Sequence, residues 1–245
     1  MLTKDLAICI RAVDYSETSQ VVTFFAKSAG KIGAMAKGSR RPKSAFGGPV
    51  EVLSSGQIVF TSTGGEKLAT LTEFEQHSAF APRLNDLFVL NCSLFAAELV
   101  DSMTDDYDPH PQLFDSFLQF LKNIRDCVNK SDAEALLILF QLSLLGEIGL
   151  QPVLKMCGNC RNDYNDRWVD VYFSSSANAL ICRDCEINFT DKIRLSKPAA
   201  NCLADLHKIA NTDEKTLNEI EKILIYHFTE LLHRPPRLAK YILKA

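Results

Sequence analysis

Thr18-Ser-Gln-Val-Val-Thr-Phe-Phe-Ala26, followed four residues later by Lys31-Ile-Gly-Ala-Met-Ala-Lys37, decides how the first third of this chain folds. The first stretch is β-branched and aromatic, and the second alternates small and large residues, as half-buried strands do. Ahead of them, Leu6, Ile8 and Ile10 point one way, with Ala7, Cys9 and Arg11 opposite. Behind them, Gln57-Ile-Val-Phe-Thr-Ser62 and Lys67-Leu-Ala-Thr-Leu-Thr-Glu-Phe74 flank a Gly64-Gly65 turn, which predicts a hairpin. Five strands within residues 1–80 suit a small five-stranded barrel of the OB type.

After Pro82 the period changes. Leu84, Leu87, Phe88, Leu94, Phe95 and Leu99 fall at helical spacing, and so do Leu113, Phe114, Phe117, Leu118, Leu121 and Ile124. Asp132 is the expected N-cap of a third helix that ends near Gly146 to Gly149. Further helices are expected from Lys197 to Ala210 and from Thr212 to Leu232, the last stopped by Pro235-Pro236. The expected architecture is therefore α+β and multidomain. An OB barrel at 1–80 precedes a helical domain in two parts, 81–156 and 186–245. A four-cysteine zinc module at 157–185 is inserted between them.

That module rests on Cys157-Gly-Asn-Cys160 and Cys182-Arg-Asp-Cys185. Two residues between thiols let both sulfurs of a knuckle reach one ion, and the second knuckle completes a tetrahedral four-sulfur site suited to structural Zn²⁺, one per chain. Asp170–Ser174 and Asn178–Ile181 supply strands for a ribbon between the knuckles. A redox dithiol relay or two disulfides are the alternatives. The remaining cysteines, Cys9, Cys92, Cys127 and Cys202, lie scattered among apolar neighbours and read as buried reduced thiols.

The chain has 245 residues, 47% of them apolar, and a formal net charge of −3. The charge distribution matters more than its sum. Between Glu17 and Glu51 there is no acid, but there are Lys27, Lys31, Lys37, Arg40, Arg41 and Lys43. After Glu230 come Arg234, Arg237, Lys240 and Lys244, again without an acid. Such ends can present local anion sites despite a negative total. The segment Lys37-Gly-Ser-Arg-Arg-Pro-Lys-Ser44 is a loop by composition, and Phe46 beside it is a candidate stacking residue. The longest apolar run, Leu136 to Leu145, is too short to span a bilayer, and no secretion signal is visible, so a cytoplasmic protein is expected.

Catalytic patterns are missing. There is no His-Glu-x-x-His or His-x-Glu, no phosphate loop and no Gly-x-Gly-x-x-Gly, and the five histidines stand apart. Asp105, Asp106 and Asp108 form an acidic turn that reads as a solvated loop before a Mg²⁺ site. No enzyme activity and no small-molecule substrate are expected.

The order of motifs resembles the bacterial DNA repair protein RecO family. It begins with Ser16-Glu17-Thr18-Ser19, Lys37-Gly38, Arg40-Arg41-Pro42-Lys43-Ser44 and Gly47-Gly48. It continues through Leu144-Leu-Gly-Glu-Ile-Gly149, Pro152 and the first knuckle, and ends at Arg234-Pro-Pro-Arg237. Arg161 departs from the pattern, standing where the family often has glycine, and Ala239 stands where a basic residue is common. The resemblance implies a recombination mediator that binds single- and double-stranded DNA and anneals complementary strands. It would act with RecR, and often RecF, to load RecA onto strands coated with single-strand-binding protein, and would associate with the nucleoid during repair. Lys31, Lys37, Arg40, Arg41 and Lys43 are the expected phosphate ligands, with Lys27, Phe46, Arg234 and Arg237 in support. Lys122 and Arg125, beside apolar helices, are expected to receive the acidic tail of single-strand-binding protein. A zinc-stabilised OB-fold RNA-binding protein of translation or transcription is the alternative.

Overall fold

The computed structural model describes residues 2–41, 44, 46–61, 68–80 and 87–243. The Gly64-Gly65 turn, Lys43, Leu84 and Lys244 lie outside the described residues. The chain divides into two compact units, Met1–Asp86 with Ser93–Asp126, and Leu87–Cys92 with Cys127–Ala245.

In the first unit the strands are β1 (Leu2–Asp14), β2 (Gln20–Ala26), β3 (Gly30–Ala36), β4 (Ser55–Thr61) and β5 (Ala69–Ser78). They close a barrel in the order β1-β2-β3-β5-β4, with β4 returning to β1. All pairs are antiparallel except β3 with β5, where Ala34, Ala36 and the residue between them meet Ala69 to Leu71 in parallel. This is the five-stranded OB barrel. Phe24, Ile32, Ile58, Phe60, Leu71 and Phe74 fill it.

The alternation read from β1 needs one correction. A bulge between Cys9 and Arg11 inserts a residue, so Ala7, Cys9 and Ala12 pack on the barrel core while Arg11 is exposed. The bulge also bends the strand, so that its first half pairs with β4 and its second half with β2. At the β2–β3 turn, buried Asp5 accepts from the backbone N–H groups of Ser28 and Ala29 at 2.9 and 2.8 Å. Gly30 follows at φ +73°, and a Cβ there would lie 2.3 Å from the Asp108 carbonyl oxygen, so only glycine fits.

Helix α1 (Leu87–Met103) is followed by α2 (Pro111–Arg125), which begins with proline in its first turn and buries Leu113, Phe114, Phe117, Phe120, Leu121 and Ile124. In the second unit, α3 (Lys130–Glu147) is capped by Asn129, whose side chain accepts from Asp132 N–H. Asp132 is therefore inside the helix, near its positive end, and is not the cap. Strands β6 (Val153–Cys157), β7 (Val171–Ser174), β8 (Ala179–Cys182) and β9 (Ile193–Leu195) form a sheet ordered β6-β8-β7-β9.

The helix expected from Lys197 to Ala210 is interrupted. Helix α4 (Lys197–Ala204) stops at Asp205, which is extended, and a 3₁₀ segment follows at Leu206–Asn211. Helix α5 (Glu214–Leu232) is capped by Asp213 and ends on left-handed His233, and a short α6 (Ala239–Ile242) closes the chain. The core of this unit joins α3, α4 and α5 to one face of the sheet through Ile138, Leu142, Phe173, Leu180, Leu203, Ile220 and Leu224. No helix among the described residues is long and apolar enough to cross a membrane.

Candidate nucleic-acid interface and four-cysteine centre

Strand register places the basic loop. Asp14 pairs with Gln20, Gln20 with Ala36, Ala36 with Leu71, and Thr70 with Thr61. The chain therefore leaves one rim of the barrel three times, after Asp14, Ala36 and Thr61. These are the first-to-second, third-to-fourth and fourth-to-fifth strand connections. In OB folds the first and last of these, with the face of strands two and three, bind oligonucleotides.

Lys37, Arg40 and Arg41 stand exposed at that rim. Arg40 N–H donates to the Thr18 carbonyl at 3.1 Å, and Gly38 N–H to Ser19 Oγ at 3.2 Å, so the loop is tied to the first connection. Buried Gln20 holds both ends of the longer segment, since its Oε1 accepts from Ser39 Oγ at 3.0 Å and from Val50 N–H at 2.9 Å. Arg40 pairs with Asp14 at 2.9 Å across a largely exposed gap. Such a pair contributes about 0–1 kcal/mol and yields readily to a phosphate.

The other cations are differently placed. Lys27 Nζ pairs with the Asp115 carboxylate at 2.7 Å. Lys31, counted with the phosphate ligands, has a side chain only 13% exposed. Its Nζ donates to the carbonyls of Asp101 and Thr104, both at 2.7 Å, and lies 3.6 Å from carboxylate oxygens of Asp101 and Asp106. It therefore caps the negative end of α1. Phe46 packs partly buried against the barrel core and lines a groove of about 980 Å³ with Glu51, Glu73 and Glu75. Those carboxylates repel phosphate, so the anion-attracting side of the loop is its beginning, at 37–41. Arg11, which the sequence reading passed over, faces outward on β1 opposite Thr23 and adds a cation to the β1–β2 face.

In the second unit Arg234 and Arg237 are exposed after α5, and Lys240 stacks over the Tyr241 ring at 4.9 Å. In the first unit, Lys122 is exposed in the last turn of α2, and Arg125 lies 3.6 Å from Asp126. The apolar face beside them is filled by core packing.

The four-cysteine centre is built by strand ends. Cys157 closes β6, Cys182 closes β8, and Cys160 and Cys185 sit one turn beyond each. Gly158 N–H donates to the Leu180 carbonyl, and a Cβ on Gly158 would lie 2.5 Å from that of Ala179, so the knuckles meet only because this residue is glycine. Arg161 takes a left-handed φ of 64°, a conformation glycine adopts without strain.

The four sulfurs lie within 4.8 Å of one another, and Cys160 Sγ is 3.8 Å from Cys182 Sγ. A tetrahedron with metal–sulfur bonds of about 2.3 Å has edges of about 3.8 Å. A disulfide needs about 2.05 Å, far shorter than this separation. The donor set can hold one metal ion. Burial pushes the Cys157 thiol up, but backbone hydrogen bonds from Cys182, Cys160 and Asn159 outweigh it and bring the group down to about 7. Burial and the neighbouring thiol of Cys185 push Cys182 the other way, to about 12. Four thiols cannot ionise together here without a cation to neutralise them. Cys9, by contrast, is driven by burial to about 12 and is chemically inert.

The sequence matches the description Recombination protein O N terminal over residues 1–80, and Recombination protein O C terminal over residues 84–239. The chain belongs to the RecO family. It is 30% identical over 237 residues to the DNA repair protein RecO of Bacillus pumilus (strain SAFR-032), covering 94% of this chain and 89% of that one. The DNA repair protein RecO of Bacillus subtilis (strain 168) matches to the same extent, 30% over 237 residues, with the same 94% and 89% coverage. That of Rhodopirellula baltica (strain DSM 10527 / NCIMB 13988 / SH1) is 31% identical over 201 residues, 82% of this chain and 73% of the relative.

Proposed function

We propose that this protein is a recombination mediator in DNA repair, acting without covalent chemistry. It binds single- and double-stranded DNA, anneals complementary strands, and works with RecR, and with RecF where present, to load RecA onto strands coated with single-strand-binding protein. It does so in the cytoplasm, on the nucleoid during repair. Family membership supports the DNA repair role. The observation that carries the DNA-binding reading is the exposed cluster Lys37, Arg40 and Arg41 at the barrel rim, tied to the first connection by Thr18 and Ser19.

In this reading residues 1–80 are the DNA-binding domain. The first strand lies along Lys37, Arg40, Arg41 and Lys43, with Arg11 at its edge. Lys27 and Phe46 contribute less, because Asp115 and the barrel core already engage them. Arg234 and Arg237 hold a second strand. Lys122 and Arg125 attract the acidic tail of single-strand-binding protein by charge. The helices within 81–156 and 186–245 offer protein-binding surfaces, and the module of 157–185 holds α3, α4 and α5 of the second unit in shape.

The four cysteines would hold one Zn²⁺, a soft-ligand, tetrahedral, closed site that supplies stability and leaves no open position for a substrate. The test is a fluorescence annealing assay with complementary DNA strands, bare and coated with single-strand-binding protein, without nucleotide. The protein should accelerate both. Acceleration of neither, with tight binding to structured RNA, would overturn the mediator reading.

A further inference from the structure

Helices α3 and α5 bury two carboxyl groups and an amide in the core of the second unit. Glu134 and Gln141 lie two turns apart on α3, Glu221 lies on α5, and none is more than 2% exposed. Gln141 Nε2 donates to Glu221 Oε2 at 2.7 Å. Three oxygens of this group, Glu134 Oε2, Gln141 Oε1 and Glu221 Oε1, have no hydrogen-bond partner among the described residues. An orphaned buried oxygen costs about 1–3 kcal/mol, more if charged.

Ionised, Glu221 can only accept, so its free oxygen and that of Gln141 have nothing to offer each other. A carboxylic acid facing a primary amide is different. It can form two bonds at once, amide N–H to acid carbonyl and acid O–H to amide carbonyl. One proton on Glu221 Oε1 thus turns two orphaned acceptors into a donor and an acceptor.

We propose that Glu221 carries a proton in the folded protein at neutral pH and closes a two-bond ring with Gln141, making the α3–α5 contact a proton-dependent latch.

The electrostatic surroundings agree. Burial pushes Glu221 up to about 8, opposed by the Gln141 bond and reinforced by Glu134. Burial likewise pushes Glu134 up to about 7, opposed by Lys130 and reinforced by Glu214. Lys130 is itself engaged by Glu214 at 2.9 Å, which limits what it can do for a charged Glu134. His227, the other buried titratable group of α5, is held neutral by burial, its folded value lowered to about 4, and brings no positive charge. Both carboxyls bind their proton more tightly folded than unfolded. Their contribution is complete below about 4.5, declines as pH rises, and is gone once pH passes about 8. The consequence reaches the metal-bearing sheet, because α3 and α5 pack on β7 and β8 through Ile138, Leu142, Ile220 and Leu224.

The test is thermal unfolding of the full metal-loaded chain from pH 6 to 9, comparing wild type with Glu221→Gln. The variant keeps the size and an amide ring with Gln141 but cannot titrate. The wild type should lose Tm relative to the variant as pH rises, with their unfolding constants diverging by up to about tenfold per pH unit. Parallel profiles would overturn the latch. Should the variant not fold, infrared spectra of Glu134→Gln, which removes the other raised carboxyl, decide: a protonated-carboxyl band at pH 7 that disappears by pH 9.5 supports the proposal, and its absence at pH 7 refutes it. Stabilisation of the wild type at pH 8 by Mg²⁺ or Ca²⁺, absent in Glu221→Gln, would also overturn it, by showing that a cation and not a proton serves these oxygens.

Discussion

Lys31→Ala separates a structural cation from a DNA ligand. The ammonium makes two 2.7 Å hydrogen bonds to the Asp101 and Thr104 carbonyls and stands 3.6 Å from two carboxylates. Hydrogen bonds to a charged group contribute about 1.5–3 kcal/mol each. The truncated site would admit water to the freed carbonyls, and alanine has no side-chain entropy to lose, so a net loss of about 3 kcal/mol is expected. For a chain of this size that lowers Tm by about 6–12 °C. The single tryptophan, Trp168, lies in the second unit, so its fluorescence does not report on the barrel; calorimetry should detect the shifted transition. Salt titration of single-stranded DNA binding is the second assay. The slope of log affinity against log salt should be unchanged, because Lys31, engaged with α1, neutralises no phosphate and so releases no counterion from the DNA. A slope shallower by about 0.7 with an unchanged Tm would show that Lys31 meets DNA and would refute the reasoning.

Cys182→Ser should remove the metal, measured as about one equivalent of zinc in wild type and far less in the variant, and should unfold the sheet around β8 while leaving barrel binding to DNA within about twofold; zinc below half an equivalent in freshly purified wild type would argue against the site. His227, lowered by burial to about 4 from an ordinary 6.5, is neutral in the folded protein, so its stabilising contribution is present above 6.5 and is lost as pH falls toward 4, by up to about 1.4 kcal/mol per pH unit. His227→Gln should therefore flatten the acid limb seen by Trp168 fluorescence, judged as the difference from wild type because the Glu221 and Glu134 contributions run the opposite way above 4.5; identical acid limbs would contradict the burial argument.

The barrel was legible because alternation along β2, β3 and β4 survives in the sequence, and so was the four-cysteine centre, since its spacing is local. What escaped depends on distance or on single insertions. The bulge at Cys9/Arg11 adds one residue and reverses which side Arg11 faces, and no composition rule locates it. Lys31 reads as a free cation because its partners lie about seventy residues later, on α1 and the turn after it. Phe46 sits beside a basic loop in sequence, yet in space it covers the barrel core next to three glutamates. The helix expected through residue 210 breaks at Asp205 although no proline or glycine interrupts it. β6 and β9 are short strands whose pairing is supplied by β8 and β7. Glu134, Gln141 and Glu221 look like ordinary polar positions until helix packing buries them together.

The most direct test of the central claim is the salt dependence of single-stranded DNA binding by wild type and by Arg40→Ala/Arg41→Ala. In the proposed interface, with Lys27 and Lys31 engaged elsewhere, the phosphate contacts come from Lys37, Arg40, Arg41 and, by sequence alone, Lys43. At about 0.7 per contact, the wild-type slope should be about −3 and that of the double variant about −1.4, with affinity falling alike for all sequences. An unchanged slope in a folded double variant would contradict the account and place the DNA away from this rim.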